Sequence, residues 1–411
     1  MNILYIEHYA GSPEMGMEFR PYYLSREWVK MGHNVTIIAG DYSHLRKKNP
    51  TVTRDFQTEN IDGIEYVWLK TGRYTGNGAA RALTMERFVR KLYINAKKIS
   101  FTWKPDVVIA SSTYPLDTYA AQRIAKFAHC KYIHEFHDLW PATLYEVGGM
   151  SKKHPFVVLM QIAENSACKH CNDCVALAPY TKDYFVSHGL IPRKFNNIQN
   201  GIVEQEWENS ESIPEEHKNF FLKNSDKFIV GYFGGHALSN ALDWSLDVAK
   251  DMQNEKNIIF VFVGDGIEKD RLKKRAEDEG INNVYFLPQI NKKAIPDLLQ
   301  YFDCSYMTGM PSPLYRFGLC LNKMYDSMMA GLPIVCAFDA PDTLVREFDC
   351  GYQCNPQNKS EVKNAIMKIV NMPIEKRLEM GQRGKEAVLS YFTYYKLAKQ
   401  FEAIMEEKVI E

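Results

Sequence analysis

The chain has 411 residues, with 50 Lys and Arg against 50 Asp and Glu, 45% hydrophobic residues and 13% aromatics. That length suggests two or three domains or one large two-lobed enzyme, and the apolar fraction is that of a globular chain, which excludes disorder, collagen and small disulfide scaffolds. Zero net charge argues against a dedicated nucleic-acid binder, which carries a basic surplus.

The balance hides an asymmetry. Residues 1–200 carry 25 Lys and Arg and 18 Asp and Glu, whereas residues 201–411 carry 25 and 32. A basic half joined to an acidic half suggests two lobes with different partners. Met1-Asn2 leads straight into Ile3-Leu4-Tyr5-Ile6, with no basic stretch and no long apolar core of a leader. Apolar runs such as Phe156–Met160 fall far short of the roughly 18–20 residues that span a bilayer. A cytoplasmic protein that touches a membrane surface is compatible with both observations. The nine Cys are odd in number and scattered, so reduced thiols are expected. Cys168-x-x-Cys171-x-x-Cys174 has a metal-ligand spacing, but no second CxxC completes a set, and the flanks read as a helix end running into a strand. No metal is expected.

In chain order, Ile3–Ile6 reads as a buried strand, His8 to Gly16 as a glycine loop, and Phe19–Lys30 as an amphipathic helix stopped by Gly32. Val35–Gly40 is a second strand, which makes a βαβ unit and implies a parallel sheet. The alternation continues with strand Asp106–Ala110, helix Leu116–Ala128, strand Lys131–His134, helix Phe156–Lys169 and strand Cys174–Ala178. Residues 203–227, polar and rich in Glu, Asn, Ser and Lys, read as a hinge. The grammar then restarts with strands Phe228–Phe233, Ile258–Val263, Val284–Leu287, Asp303–Met307 and Pro333–Val335. The expected fold class is α/β, with two doubly wound Rossmann-like domains facing across a cleft, residues 1–202 and 203–391. A last helix, about 392–411, has no strand after it and is expected to pack back on the first domain or its neighbour.

Open α/β sheets bind ligands at the carboxyl ends of their strands. Three glycine turns fall there: Gly11–Gly16, Gly234-Gly235 and Gly264-Asp265-Gly266. Neither GxGxxG nor GxxxxGK[ST] follows any strand, so NAD and P-loop readings lose ground. The stretch Met310–Gly331 holds a Pro/Gly loop and then a helix from Asn322, so that Arg316, Asn322 and Lys323 crowd a helix start. A cation there opposes the helix dipole unless an anion sits between, which points to a bound phosphate; solvated loop charges are the plainer reading. His134-Glu135-Phe136-His137-Asp138 brings two His and two carboxylates to a strand end, suited to acid–base work or to sugar binding. The spacing is not HExxH on a helix, which argues against a metalloprotease.

Taken together, Gly32-His33-Asn34-Val35-Thr36, His137-Asp138-Leu139-Trp140-Pro141, Asn200-Gly201, Phe262–Gly266 with Arg271-Leu272, and Asn283–Pro288 resemble the motifs of the retaining glycosyltransferases of family 4, which have the GT-B fold. The likeness covers nearly the whole chain. Within the family it is greatest to the branch that builds bacterial surface polysaccharides such as O-antigen and capsule, which shares the DLWP run and an NK before the helix, here Asn322-Lys323. The resemblance implies a hexosyl- or N-acetylhexosaminyl-type enzyme. It would move an N-acetylated aminosugar or a deoxysugar from a nucleotide-sugar donor, UDP favoured, to a polyprenyl-diphosphate-linked or other glycan acceptor. It implies no cofactor and no obligatory metal. His137 and Asp138 are the implied catalytic pair. Gly16, Gly234, Gly235, His236, Asn240, Gly264, Gly266, Arg316, Gly318, Asn322, Lys323 and Asp326 are the implied donor contacts.

Three positions depart from the family pattern. Of its two acids eight apart, the second falls on Asp326 and the first on Gly318, and its diphosphate-binding Arg and Lys fall on Gly235 and Asn240. A sugar-nucleotide epimerase of the same fold, or a non-catalytic partner of an active transferase, therefore stays open. Residues 70–98 carry eight Lys and Arg against one Glu, with apolar residues among them. This reads either as a basic membrane-surface helix, with Arg87, Arg90, Lys91, Lys97 and Lys98 towards anionic lipid and the acceptor, or as a surface helix whose apolar stripe faces its own core.

Overall fold

The computed structural model describes residues 1–17 and 19–407. The chain divides into two compact units, one of residues 1–200 with the final helix from Tyr394, the other of residues 201–393.

Among the described residues the first unit has eight strands: β1 (Asn2–Ile6), β2 (Asn34–Gly40), β3 (Gln57–Ile61), β4 (Ile64–Leu69), β5 (Val107–Ala110), β6 (Lys131–Phe136), β7 (Asp173–Ala176) and β8 (Phe195–Asn197). They lie in the order β3-β4-β2-β1-β5-β6-β7-β8. All pairs are parallel except the edge hairpin β3–β4. The central strands are runs of Ile, Val, Leu and Tyr because helices cover both faces of a parallel sheet, leaving no polar side to alternate with. The connection after β1 runs to β2 on one side and the connection after β5 runs to β6 on the other, so the loops after β1 and β5 meet at a topological switch point. The hairpin was not foreseen from the alternating pattern. Its signal was local: Asp62-Gly63 forms the two-residue turn, both with positive φ (53° and 84°), as a mirror-image turn requires.

The helix Tyr394–Glu406 packs on the helix Arg20–Lys30 of this unit. Trp28, fully buried, donates its indole N–H to the Ala398 carbonyl at 3.0 Å and meets the Phe401 ring at 5.3 Å between centroids. His33 contacts Glu402 at 2.7 Å, and Lys131, paired with Asp173, donates to the Ile404 carbonyl.

The second unit is a six-stranded, wholly parallel sheet: β9 (Phe228–Phe233), β10 (Ile258–Val263), β11 (Val284–Leu287), β12 (Cys304–Thr308), β13 (Ile334–Ala337) and β14 (Gly351–Cys354). The order is β11-β10-β9-β12-β13-β14, which places its switch point between β9 and β12. Residues 203–227 correct the hinge expectation. They form two helices, Glu204–Glu208 and Glu215–Lys223, and Ile213 and Phe221 are buried against Ile229, Phe233 and Phe302. Their polar composition belongs to the solvent face, while two well-placed apolar residues seat the segment.

The basic stretch 70–98 is likewise not one helix. Residues 70–78 are irregular, and the rest divides at Asn95 into helices Ala79–Ile94 and Ala96–Trp103.

Phe401→Ala leaves a cavity against Trp28 and should cost the first unit about 3–5 kcal/mol, the usual range for a buried Phe. Urea denaturation should show the loss, and a first unit of unchanged stability would mean the last helix is dispensable to it.

Candidate active site

In the first unit the chemistry gathers at the ends of β5 and β6. Their register sets Ala110 against His134, which brings Ser111 beside Glu135. Alternation along β6 then sorts the His-rich run into two faces. His134 turns inward, its Nδ1 2.7 Å from the Tyr132 hydroxyl, and burial pushes its pKa down to about 3, so it is a neutral core histidine. Glu135 is fully buried on the other face, where the Arg20 guanidinium donates to its Oε1 at 2.9 and 3.0 Å. Its Oε2 accepts from the hydroxyls of Tyr5 and of Ser111, the latter at 2.6 Å. Burial would raise this carboxyl, and Arg20 with the two hydroxyls more than offsets it, holding it below the usual range. Of the four ionisable side chains expected at this strand end, only His137 and Asp138 stay near the surface. His137 is half-buried, its Nδ1 3.2 Å from Ser111 Oγ and its Nε2 3.5 Å from Thr113 Oγ1. Asp138 is exposed, so its carboxyl meets water, and the charge of nearby Arg81 favours the ionised form.

Beside this pair lies an aromatic floor. Arg81 sits over the rings of Tyr9 (5.3 Å) and Trp140 (5.8 Å) and donates to the Tyr9 hydroxyl at 3.2 Å. It stands in the first turn of the helix Ala79–Ile94, which has neither a side-chain cap nor an acidic residue there. Gly16 lies in the loop after β1, with φ of 92° and bridges to Ser12 and Arg46.

In the second unit the loops after β9, β10 and β12 pack together, the last through the Met310 N–H donating to the Ser239 carbonyl at 2.9 Å. The Gly264–Gly266 turn packs on the Gly234–His236 turn backbone to backbone: a Cβ on Gly264 would lie 1.9 Å from the Gly234 carbonyl oxygen, and one on Gly266 2.3 Å from that of His236. These two glycines are therefore required by close approach, whatever they bind. Lys269 staples the turn, donating to the carbonyls of Gly264 (2.6 Å) and Leu287 (2.9 Å).

Above Gly234 stands Lys323, second residue of the helix Asn322–Met329. Its ammonium lies over the Tyr232 ring at 4.6 Å, 3.3 Å from the Tyr232 hydroxyl and 3.5 Å from Asn240 Oδ1. Tyr232 and Asn240 in turn both donate to the Gly235 carbonyl. Burial pushes Lys323 down to about 8, and among the described residues no carboxylate offsets that. The helix start has no side-chain cap and no acid in its first turn. An uncompensated cation, free helix N–H groups and a glycine turn are the ingredients of an anion site. His236 is buried with neither ring nitrogen hydrogen-bonded, and burial, then the charge of Lys269, pushes it down to about 4, so it is neutral. Asp326, half-buried, is pushed up to about 6 by burial, with Lys292 opposing and Glu206 adding.

The structure does not join Arg316 to Lys323 through any described contact. Arg316 is exposed, donates to the Pro313 carbonyl and lies over the Phe317 ring in the 3-10 turn before Gly318, whose φ is 92°. The basic stretch divides its duties. Lys91 pairs with Asp55 at 2.7 Å, Arg90 with Glu86 at 2.7 Å, Arg87 donates to the Thr71 carbonyl, and Lys97 and Lys98 lie over Phe101 and Phe56. Phe88, Leu92 and Ile99 face the core, but Ile94 and Phe101 are 65% and 63% exposed. Cys168, Cys171 and Cys174 are buried, and burial pushes their thiols up. Sequence reasoning had not singled out Arg20, Ser111, Arg81 or Tyr232, since none sits in a motif; Glu135 was noticed for acid–base work or sugar binding, whereas it is buried on Arg20.

Comparison with known proteins follows this division of the chain. Residues 15–206 match the Glycosyltransferase Family 4 profile, and residues 214–387 match that of Glycosyl transferases group 1. An uncharacterised glycosyltransferase of Methanocaldococcus jannaschii is 23% identical over 245 residues, 59% of this chain and 60% of that protein. WcaI of Escherichia coli K12, named for colanic acid biosynthesis, is 34% identical over 79 residues, 19% of each chain. The match thus spans less than two thirds of either curated relative. Among solved structures, sucrose-phosphate synthase of Thermosynechococcus elongatus superposes with a TM-score of 0.73 at 15% identity, covering 98% of both chains. Anabaena HepE in complex with UDP and glucose gives 0.66 at 15% identity, covering 99% of this chain and 100% of that one. With both profiles matched in order and two parallel-sheet α/β units in place, the chain belongs to the GT-B glycosyltransferases of family 4.

Proposed function

We propose that the protein is a retaining glycosyltransferase that moves a sugar from a UDP-linked donor to a glycan acceptor carried on polyprenyl diphosphate, in surface-polysaccharide synthesis. The observation that carries this reading is Lys323, a half-buried ammonium at a helix start with no counter-charge among the described residues, facing the Gly234-Gly235 turn. A donor diphosphate supplies the missing charge. The UDP in the HepE complex, and the family profile over the second unit, support the donor class. An N-acetylated aminosugar or a deoxysugar is proposed for the group transferred.

The bond from the anomeric carbon to the diphosphate oxygen breaks, and the acceptor hydroxyl oxygen bonds to the same carbon. Negative charge builds on the leaving diphosphate, and its stabilisation by Lys323, by the helix amides and by the glycine turn is the main demand on the second unit. The leaving phosphate takes the acceptor proton. His137 holds the reacting sugar, and Asp138, ionised, orients it or meets the acceptor. Arg81, between Tyr9 and Trp140, offers the acceptor an arginine over aromatic faces, suited to a sugar next to an anionic group.

A peripheral place on the inner face of the plasma membrane completes the proposal. The described residues contain no helix long and apolar enough to cross a membrane. The exposed Tyr93, Ile94, Phe101 and Phe127, with Lys97 and Arg123 among them, form the kind of mixed aromatic and basic surface that interfaces favour.

A thermal-shift panel of UDP, GDP, ADP, CMP and their sugars tests the donor. A ligand at about 100 times its dissociation constant adds about 2.7 kcal/mol of stability, and the shift is expected for UDP and its N-acetylaminosugars. No shift with any nucleotide would transfer the argument to a non-catalytic partner, for which Gly318 in place of an acid is the motive. His137→Ala should lower turnover by about 100-fold or more with little loss of stability; near-normal turnover removes His137 from the reaction.

The lowered Lys323 sets a pH dependence. A bound diphosphate favours the ammonium, so affinity is full below about 8 and is lost as pH rises through that value. UDP affinity measured by calorimetry should fall about tenfold per pH unit above 8, until the lysine of the bound state itself titrates. Lys323→Met should bind weakly with a flat profile, and a wild-type profile that is already flat would exclude Lys323 from the site.

A further inference from the structure

We infer that Ser111 and Glu135 keep a proton on His137 Nδ1 and so present Nε2 as the working nitrogen of this histidine, with Arg20 anchoring the base of the relay. The substrate that Nε2 meets rests on the glycosyl-transfer reading; the tautomer does not.

The inference follows from counting protons. Glu135 is ionised, because the Arg20 guanidinium lies 2.9 Å from it inside the fold and hydroxyl donors reach its other oxygen. A serine hydroxyl has one hydrogen. At 2.6 Å from a carboxylate oxygen, Ser111 must spend that hydrogen on Glu135, since two bare oxygens at that distance repel. Ser111 Oγ can then only accept towards His137 Nδ1, 3.2 Å away, so Nδ1 carries the hydrogen. Thr113 Oγ1, 3.5 Å from Nε2, can turn its own hydrogen towards that nitrogen. The second hydrogen bond of a histidine ring sets which nitrogen works, and here a serine transmits the choice from a buried carboxylate.

The arrangement exceeds what packing needs. Glu135 Oε2 already accepts from Tyr5, and Oε1 from Arg20, so the ion pair stands without Ser111. What Ser111 adds is the link to His137. Arg20 also donates to the carbonyls of Ile198 (2.9 Å) and Gln199 (2.6 Å) and to Asn200 Oδ1 (3.2 Å), which ties the relay to the last segment of the first unit before the chain leaves it. Ser111, Glu135 and Arg20 are thus positioning residues, acting through His137.

Long-range nitrogen–proton NMR of the full chain labelled in histidine tests this, with the His137 ring assigned by comparison with His137→Asn. At pH 8 to 9 the wild type should show a protonated-type Nδ1 and an unprotonated-type Nε2. Ser111→Ala should mix the two tautomers and lower kcat with a UDP-sugar roughly 10- to 100-fold while the UDP Kd moves less than about twofold. Tyr5→Phe, which removes the other donor to the same oxygen, should leave the tautomer unchanged. A wild-type ring with its hydrogen on Nε2, or averaged between nitrogens, overturns the relay, as does Ser111→Ala with unchanged tautomer and kcat. Should Ser111→Ala fail to fold, the wild-type spectrum alone decides. If the spectrum is as expected but no nucleotide sugar is turned over, the relay stands and the functional reading falls.

Discussion

The buried pair of Arg20 and Glu135 is the constraint on which the first unit turns. Moving two charges out of water costs several kcal/mol each, and a well-packed apolar pair of the same volume is commonly as stable. Here the cost is offset only because every oxygen of Glu135 has donors and the guanidinium finds three further acceptors at 198–200. Loss of either partner would leave a bare charge in the core. The pair therefore holds together β1 through Tyr5, the first helix through Arg20, β5 through Ser111 and the segment after β8, all at the carboxyl edge of one sheet. That edge is where His137 and Asp138 emerge.

The second unit uses the opposite device. Lys323 is placed half out of water with no carboxylate beside it among the described residues, and the aromatic face of Tyr232 and the oxygen of Asn240 soften the cost without neutralising the charge. An internal ion pair would have stabilised the free protein and removed the attraction for an anion. The glycine turns beside it are held by a different need, because Gly264 and Gly266 let one loop rest on the backbone of another. Their role in bringing backbone amides near a ligand comes second to this packing.

Much of the architecture was legible in the chain itself. Apolar strands followed by glycine turns and amphipathic helices announce parallel sheets, and the strands named from the sequence begin and end within a few residues of observed ones, while β3, β4, β8 and β14 were not named. The misses have local causes. The β3–β4 hairpin was passed over although Asp62-Gly63 marked it, and 203–227 was taken as a hinge because its composition is polar while only Ile213 and Phe221 decide its seat. The basic stretch gave no hint of the break at Asn95.

The sequence by itself determined the α/β class, the two sheets, and the motif residues His137, Asp138, Asn322 and Lys323, because periodicity and short motifs are properties of neighbours along the chain. Only the tertiary structure decided which charged groups are buried and paired and which are left without a partner carboxylate among the described residues. Glu135 and Asp138 are three residues apart and both carboxylic, yet β6 buries one against Arg20, 115 residues away, and the other, past the end of the strand, lies at the surface. Lys91 and Lys323 look alike as letters, but one is paired with Asp55 and the other has, among the described residues, no carboxylate to offset its charge. Burial and the company of distant residues set the charge and the proton of a group, and neither is written in the residues beside it.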